Sequence, residues 1–447
     1  MTEMTTYRWR WAALATLLAA EAMNVLDATI TQVAAPAIHA DLGGAASDLQ
    51  WFGAAYTLPF AVLLITGGRL GDLFGRRRVF LVGVAVFAVS SVCCALAPTV
   101  AVLVTARALQ GAAAALVIPQ TIGLIKSMFT GRELATALGW NGPVVGLSAV
   151  SGPVLGAVLT DTVSWRAAFL VNVPISVAVL ALGRWLQEDR ATHQVRLDVQ
   201  GTLLAMLGVG LVVYPLIGGG RWPMVVAGVV VLVIFVCHQR TRRFPLVERS
   251  LFRDRGFPAA LVTSVLFFAV MNGLTLVVVL HLQLDQGRSV LSSGLMLLPW
   301  SGGLAVSSWF AGRYLGSRSA FGGLALLLAG ILAGIACYRF APASPWPLLG
   351  ALAVGGLGLG LFTVPFFMNA LSHVRPHETG SAAGLLNAAQ QLGATLGIAL
   401  LGTAFLHGHS AERAFWLAAA LVTATALTTR VSNPHDPRWT RAMGGPT

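Results

Sequence analysis

Long runs of apolar residues alternate with short polar segments over the whole of the 447 residues. We recognise fourteen such runs, and most are close to the roughly 20 apolar residues that a helix needs to cross a bilayer. Unpaired backbone polar groups are too costly in hydrocarbon, so each run is predicted to be a helix. The predicted spans lie near residues 11–38, 50–69, 79–97, 101–125, 136–159, 167–187, 200–219, 222–239, 257–284, 290–312, 320–340, 345–368, 380–406 and 412–430.

The two longest polar stretches, residues 187–199 and 239–256, divide the spans into three groups. We predict a six-helix bundle over residues 1–190, a two-helix insert with basic cytoplasmic flanks over 191–250, and a second six-helix bundle with a cytoplasmic tail over 251–447. Paired six-helix halves are typical of transporters that bind substrate between the halves. The sparse charge of the insert predicts a lipid-facing spacer.

The composition supports an all-α polytopic membrane protein. Hydrophobic residues make up 56% of the chain and charged residues only 10%, whereas soluble domains carry about 25% charged residues. In a soluble protein the net charge of +12 would indicate a nucleic-acid partner. Here 23 of the 29 lysines and arginines fall in alternate segments on one side of the membrane, which places both termini in the cytoplasm and predicts no nucleic-acid partner.

The first run contains two carboxylates, and ionisable groups at that depth indicate function. Glu21, Asn24 and Asp27 follow one another at helical spacing, with Thr31 one turn later, so they share one helix face. Low polarity disfavours the charged form of a carboxylate, which lets such a group exchange a proton. We predict Asp27 as the main proton site and Glu21 as a second proton or cation site.

Two other interpretations of this stripe compete. Its members could serve only as hydrogen-bonding groups between neighbouring helices. The run could also be a cleaved signal peptide ending near Ala22, although its apolar character continues past that point.

Arg107 is the only charged residue in the fourth run. A guanidinium group does not lose its proton in proteins, so it needs a carboxylate or carbonyl partner. We predict that Arg107 competes with the proton and the substrate for Asp27 and thereby couples their movements. The alternative is a buried charge that backbone carbonyls hold in place.

Further polar side chains within the spans are candidates for lining a substrate cavity, because such groups usually face the interior. For each of them, hydrogen bonding between helices explains the sequence equally well. The candidates are Asn24, Gln32, Tyr56, Gln110, Gln120, Asn141, Asn272, Asn369, Asn387, Gln390 and Gln391.

The string Gly-Arg-Leu-Gly-Asp-Leu-Phe-Gly-Arg-Arg-Arg over residues 68–78 closely resembles the loop 2–3 signature of the major facilitator superfamily. Residues 26–36 resemble the first-span signature of its fourteen-span drug:proton antiporter branch, the EmrB/QacA-like proteins. Residues 107–111 resemble the fourth-span motif, whose arginine is linked to proton transfer in the superfamily. The loop-motif positions are Gly68, Gly71, Asp72, Gly75, Arg76 and Arg77.

The fifth span resembles the antiporter motif of this branch at Gly139, Ser148, Gly152, Pro153 and Gly156, with Ser148 where glycine is usual. Small residues allow close helix packing and a proline frees a backbone carbonyl, so this span is predicted to pack tightly across the bundle. Ordinary packing without any ligand contact is the alternative. Residues 165–174, 380–387 and 390–393 also fit the branch. The second copy of the loop motif, residues 312–318, lacks the aspartate.

The resemblance implies a major facilitator fold and a secondary transporter. A composition rich in Ala, Gly, Val and Arg indicates a bacterial source. It implies a proton-coupled antiporter of the cytoplasmic membrane that exports small, largely apolar compounds, drugs or antibiotics, by alternating access. Small-molecule substrate, protons and the lipid bilayer are the expected partners, the expected state is a monomer, and the proton gradient replaces any cofactor.

Three alternatives stay open. The cargo could be a metabolite such as a siderophore, an amino acid or the producer's own secondary product, or the chain could be a membrane sensor without transport. An intramembrane enzyme is disfavoured because we find no nucleophile–base pair, phosphate loop or metal-ligand cluster. The glycine-rich residues 355–360 resemble a dinucleotide loop, but no predicted strand precedes them.

Overall fold

The computed structural model describes residues 8–190, 197–219, 221–242, 246–253, 255–315, 319–340, 344–372, 374–375, 378–408 and 410–432. Across these ranges the regular structure is helical. The predicted tail after residue 432 and residues 316–318 of the second loop-motif copy lie outside them. The α-helices of the described chain are α1 Arg10–Leu42, α2 Asp48–Phe74, α3 Arg76–Ala95, α4 Val100–Met128, α5 Gly131–Gly139, α6 Asn141–Thr162, α7 Trp165–Leu170, α8 Asn172–Leu182, α9 Val199–Gly218, α10 Trp222–Thr241, α11 Gly256–Leu280, α12 Val290–Met296, α13 Leu298–Phe310, α14 Ala320–Phe340, α15 Pro345–Ser372, α16 Thr379–Leu406 and α17 Ala411–Ser432.

Within the residues that the structure describes, 14 helical stretches are long and apolar enough to cross a membrane. Three of them join two helices end to end, with breaks at Trp140, Val171 and Leu297. Each predicted run corresponds to one stretch, so the number and order of the spans are confirmed. An even number of crossings puts the start of α1 and the end of α17 on one face, the terminal face; the other is the opposite face.

The first six spans, α1–α8, meet the last six, α11–α17, mainly through α2 with α16 and α6 with α12 and α13. Gln50, near the start of α2, donates hydrogen bonds to the carbonyls of Ile398 and Ala399 in α16, at 3.0 and 2.9 Å. Nearer the middle of α2, the hydroxyls of Thr57 and Thr395 lie 2.7 Å apart. Because α2 starts at the opposite face, these contacts hold the two halves together on that side.

The two inserted spans differ in their surroundings. α9 contacts both halves: the Thr202 hydroxyl lies 2.8 Å from that of Thr66 in α2, and Thr403 in α16 donates to the carbonyl of Leu216 at 2.8 Å. α10 packs chiefly against α9, and Gly228 is its one buried residue among those described. The prediction of a lipid-facing spacer therefore describes α10, whereas α9 lies over the seam between α2 and α16.

The glycine-rich residues 355–360 lie inside α15. A Cβ atom on Gly356 would lie 2.2 Å from the carbonyl oxygen of Trp300, and one on Gly358 would lie 2.3 Å from the backbone nitrogen of Leu327. These glycines allow α13 and α14 to approach the backbone of α15 closely. Residues 355–360 therefore form a helix-packing surface, in agreement with the sequence analysis, which disfavoured a dinucleotide loop because no strand precedes them.

Glycine also sets the packing of α2 on α4, which yields a testable prediction. A Cβ atom at Gly67 would lie 2.0 Å from the carbonyl oxygen of Ala115, and backbone cannot yield as a side chain can. We expect Gly67→Ala to destabilise the protein by about 1–3 kcal/mol through overpacking. The measurement is thermal unfolding of the purified protein in detergent.

Gly146→Ala in α6 is the matched control, because a Cβ atom there meets nothing within 4 Å. It should be neutral or stabilise the helix by up to about 1 kcal/mol. Equal melting temperatures for Gly67→Ala and Gly146→Ala would contradict the close α2–α4 packing.

Candidate functional site

Asp27 and Arg107 form a buried ion pair between α1 and α4. Nη1 of Arg107 lies 2.5 Å from Oδ2 of Asp27, and the exposed fractions of the two side chains are 1% and 0%. Nε of Arg107 donates to the carbonyl of Phe52 in α2 at 3.0 Å. Both kinds of partner that the sequence analysis considered for Arg107, a carboxylate and a backbone carbonyl, are thus present.

Gln110 follows Arg107 by one helical turn and fills the space between the pair and α3. Its Nε2 donates to Oδ1 of Asp27 at 3.2 Å and to Oγ of Ser91 at 2.8 Å. Its Oε1 accepts from Nη1 of Arg107 at 2.8 Å and from the thiol of Cys94 at 3.4 Å. Both ends of this amide are therefore occupied.

Asn172 supplies a third donor to the carboxylate, and the sequence analysis did not single it out. It begins α8 at the break after Val171, it is fully buried, and its Nδ2 lies 2.7 Å from Oδ1 of Asp27. The sequence contained a signal, since Asn172 belongs to the string 165–174 that resembles the branch. The sequence analysis used that string only as a family resemblance and did not consider its asparagine as a partner for Asp27.

Aromatic rings complete the surroundings of the cation. The Arg107 guanidinium lies 4.5 Å from the ring centre of Tyr56 and 5.8 Å from that of Phe169, and such rings attract a cation electrostatically. The Tyr56 hydroxyl donates to Oδ1 of Asn24 on α1. A charge pair removed from water is tolerated only when its polar atoms are bonded in this way.

Glu21 lies in a different environment from Asp27, although both belong to the same stripe. It stands about 9 Å nearer the terminal face, at roughly 1.5 Å per residue, and its side chain is only partly buried. Among the described residues, it has no hydrogen bond or ion pair. One stripe therefore presents a paired carboxylate and a carboxylate that is available to another charge.

The loop-motif residues join three helices at the terminal face. Arg76 binds Oδ1 of Asp72 through Nη2 and Oδ2 of Asp189 through Nη1, both at 2.9 Å. Gly75 connects α2 to α3 at φ of 100°, a conformation that favours glycine. A Cβ atom at Gly123 in α4 would lie 2.3 Å from Nη1 of Arg76, so the guanidinium rests on that glycine.

The other loop-motif positions pack against their neighbours. Arg77 donates from Nε to the carbonyl of Gly183 at 3.2 Å. A Cβ atom at Gly71 would lie 1.9 Å from Oε1 of Gln120, whereas one at Gly68 would make only an ordinary contact. The partners after span six, Asp189 among them, lie in a polar segment that the sequence analysis did not connect with this motif.

Three positions of the antiporter motif pack closely against neighbouring helices, as predicted. A Cβ atom at Gly152 would lie 1.9 Å from Oγ1 of Thr29, and one at Gly156 would lie 2.9 Å from Cα of Ile30, so α6 presses on α1. On its other side, the carbonyl of Pro153 lies 2.7 Å from where a Cβ atom of Gly294 in α12 would be. This segment therefore contacts the first span and the second half together.

The remaining two positions differ from each other in their surroundings. Ser148 is buried but bonds within its own helix, to the carbonyl of Val144 at 2.8 Å. The prediction of tight packing at Gly139 is wrong, because a Cβ atom there meets nothing within 4 Å. Gly139 ends α5 just before the break at Trp140, where the chain has no close neighbour on that side.

Residues 17–398 match the family model of the Major Facilitator Superfamily. The chain belongs to this superfamily. Superfamily members are transporters, so this protein is a multi-pass membrane transporter and not an enzyme.

Several curated members of the superfamily are similar over most of their length. The "Probable actinorhodin transporter" of Streptomyces coelicolor is 42% identical, with 89% of this chain and 73% of that protein aligned. The puromycin resistance protein pur8 of Streptomyces alboniger is 37% identical over 88% of this chain and 81% of its own. The multidrug resistance protein Stp of Mycobacterium tuberculosis is 33% identical over 89% and 75%.

A solved structure confirms the fold. The crystal structure of a D-xylose–proton symporter matches with a TM-score of 0.66 and covers 94% of this chain and 97% of its own. At 16% sequence identity this likeness concerns the fold alone. The prediction of a major facilitator fold is therefore confirmed.

The cavity candidates of this transporter fall into different places. Asn24, Tyr56 and Gln110 belong to the network around Asp27, as described above. Gln32 donates to Oδ1 of Asn272 at 3.4 Å and so links α1 to α11 in the other half. Gln120 is buried and donates to the carbonyls of Gly67 and Leu116 at 2.8 and 3.1 Å, so its amide nitrogen bonds backbone.

The other candidates lie on α6, α15 and α16 and are partly exposed. Oδ1 of one of them, Asn141, is buried without a hydrogen bond among the described residues. The five residues are Asn141, Asn369, Asn387, Gln390 and Gln391.

The loop motif offers a matched pair of arginines for a test. The Arg76 side chain is 27% exposed and bonds two carboxylates, whereas that of Arg78 is 71% exposed and lies 3.7 Å from Glu188. We expect Arg76→Ala to destabilise the protein by about 1.5–3 kcal/mol, as for hydrogen bonds to charged groups. Arg78→Ala should cost less than about 1 kcal/mol.

Thermal unfolding of the two purified variants in the same detergent provides the comparison. The wild-type protein sets the reference. Melting temperatures that fall equally for Arg76→Ala and Arg78→Ala would mean that the two carboxylates near Arg76 contribute nothing specific.

Proposed function

We propose that this protein is a proton-coupled antiporter that exports small, largely apolar compounds, drugs or antibiotics, across the cytoplasmic membrane by alternating access. The observation that carries the proposal is the ion pair of Asp27 and Arg107, buried between α1 and α4 and bonded on every side. Relatives named for antibiotic resistance and export support the choice of cargo. The basic residues of alternate loops support cytoplasmic termini.

Exchange follows from competition for one carboxylate. Ionised Asp27 is held by Arg107, whereas a proton that neutralises Asp27 removes the Coulombic attraction and frees the guanidinium. Cargo that binds more tightly when Asp27 is ionised promotes release of that proton into the cytoplasm. The external side, at higher proton concentration, then reloads Asp27 and displaces the cargo.

Glu21 gives the transporter a second acidic group on the path from the terminal face. Because it has no charged partner among the described residues, a cationic cargo or a second proton can neutralise it. Asp27 supplies the coupling to the gradient, and Glu21 extends the range of cargo. No cofactor is needed for this cycle, and a single chain suffices for it.

Export of the producer's own secondary product is the second candidate. The "Probable actinorhodin transporter" of Streptomyces coelicolor and the tetracenomycin C resistance and export protein of Streptomyces glaucescens favour it. The chemistry at Asp27 is the same for this cargo. A sensor without transport is disfavoured, because it would have no use for a carboxylate paired with Arg107.

Growth on a panel of toxic compounds tests the proposal. A host without its own exporters would express either the wild type or Asp27→Asn at matched membrane levels, with puromycin, tetracenomycin C and ethidium in the panel. We expect the wild type to raise the tolerated concentration of at least one compound several-fold. Asp27→Asn should give no protection, because it removes the group that takes the proton.

Two results would count against the proposal. Equal growth of wild-type and empty-vector cells on every compound would remove the support for drug export. Equal protection by wild type and Asp27→Asn would keep the export function and refute the coupling role of Asp27.

A further inference from the structure

Each side-chain partner that the described structure gives the Asp27 carboxylate is a hydrogen-bond donor. Oδ2 accepts from Arg107, and Oδ1 accepts from the amides of Gln110 and Asn172. A carboxylate only accepts hydrogen bonds, whereas a carboxylic acid also donates one. The arrangement therefore fits ionised Asp27. The O–H of protonated Asp27 would need a hydrogen-bond acceptor, and none of these three groups turns one toward it in this arrangement.

Two of the three partners are poorly placed to become that acceptor. Arg107 carries no acceptor atom. Gln110 carries one, but its Oε1 is held by Arg107 and Cys94, and its Nε2 also bonds Ser91. Turning the Gln110 amide would break these bonds and bring its Nε2 toward the guanidinium.

Asn172 is bound much less firmly. Its Oδ1 is buried and has no hydrogen-bond partner among the described residues. Its Nδ2 has the bond to Asp27 at 2.7 Å and a long contact of 3.5 Å to Oγ of Ser91. A buried oxygen without a partner is costly, so an arrangement that gives it a donor is favoured.

We propose that Asn172 is the positioning residue that lets Asp27 take up and release its proton in place. When Asp27 is ionised, Nδ2 of Asn172 donates to Oδ1 of Asp27. When Asp27 is protonated, the amide turns by half a revolution, and the new O–H on Oδ1 of Asp27 donates to Oδ1 of Asn172. Asn172 stays neutral throughout and no covalent bond changes in it.

Few charged or titratable groups surround this pair. Arg107 comes from α4, Tyr56 from α2 and Cys94 from α3, while Glu21 lies about two turns away on α1. α8 contributes no titratable group, since its only polar side chains are Asn172 and Ser176. A change in the Asp27 carboxylic-acid band on replacing Asn172 therefore reports on their direct contact.

This inference rests on the proposed proton coupling, and pH-difference infrared spectroscopy of the purified full chain tests it without any ligand. The carboxylic-acid band that is present in the wild type and absent in Asp27→Asn marks protonated Asp27. The amide carbonyl band that is lost in Asn172→Leu marks Asn172. If Asn172→Leu does not fold, Asn172→Gln serves to identify the same band.

We expect the Asn172 carbonyl band of the wild type to shift with the same pH midpoint as the Asp27 band. In Asn172→Leu the carboxylic-acid band of Asp27 should shift in frequency, because the O–H of protonated Asp27 loses its acceptor on Asn172. Asn141→Leu is the control, because Asn141 also has an unpaired buried Oδ1 but is not bonded to Asp27. It should leave the Asp27 band unchanged.

The outcomes separate the two proposals. An Asp27 band that titrates while the Asn172 carbonyl band stays fixed overturns the role of Asn172 and leaves proton coupling standing. A wild type without any titrating Asp27 band overturns both, because the inference needs a proton on Asp27.

Discussion

A charged pair buried in a membrane protein must be almost completely bonded, and the first half of this structure is arranged around that requirement. The side chains of Asp27 and Arg107 are almost completely buried, and burial costs several kcal/mol per ion before their attraction repays it. α1 and α4 supply the pair itself, α2, α7 and α8 each contribute a bond or a ring to it, and α3 bonds Gln110 beside it. Movement of any of these helices therefore changes the balance between the paired and the unpaired carboxylate.

The two ends of the molecule relate differently to this pair. Near the opposite face, Gln50 and the segment around Pro153 join the two halves. Near the terminal face, Arg76 holds α2, α3 and the segment after α8 together within one half. On the proposed cycle, the first set of contacts opens when cargo leaves, while the second keeps the first half rigid. α9 contacts both halves and must follow this movement.

The sequence predicted those parts of this arrangement that can be recognised from one span alone. A charge in an apolar run is unmistakable, so Asp27 and Arg107 were identified, and their pairing followed from the need of each for a partner. The fourteen spans followed from hydropathy for the same reason. The family signatures placed the loop motif correctly because its glycines and charges stand at fixed spacing.

Neutral amides were harder to place, because their meaning depends on which neighbour they face. Gln120 and Gln110 look alike in the sequence, yet one binds backbone carbonyls and the other binds Asp27. Asn172 was missed because it lies 145 residues from Asp27, and only the folded chain brings them together. Gly139 was misread because a small residue indicates close packing only where a second helix is near.

The most direct test of the account is proton release from the purified transporter in vesicles when an exported compound is added. Wild-type protein should release protons on binding that compound. Asp27→Asn should still exchange the compound between the two sides but release none. Proton release by Asp27→Asn equal to that of the wild type would show that the buried carboxylate is not the group that couples cargo to the gradient.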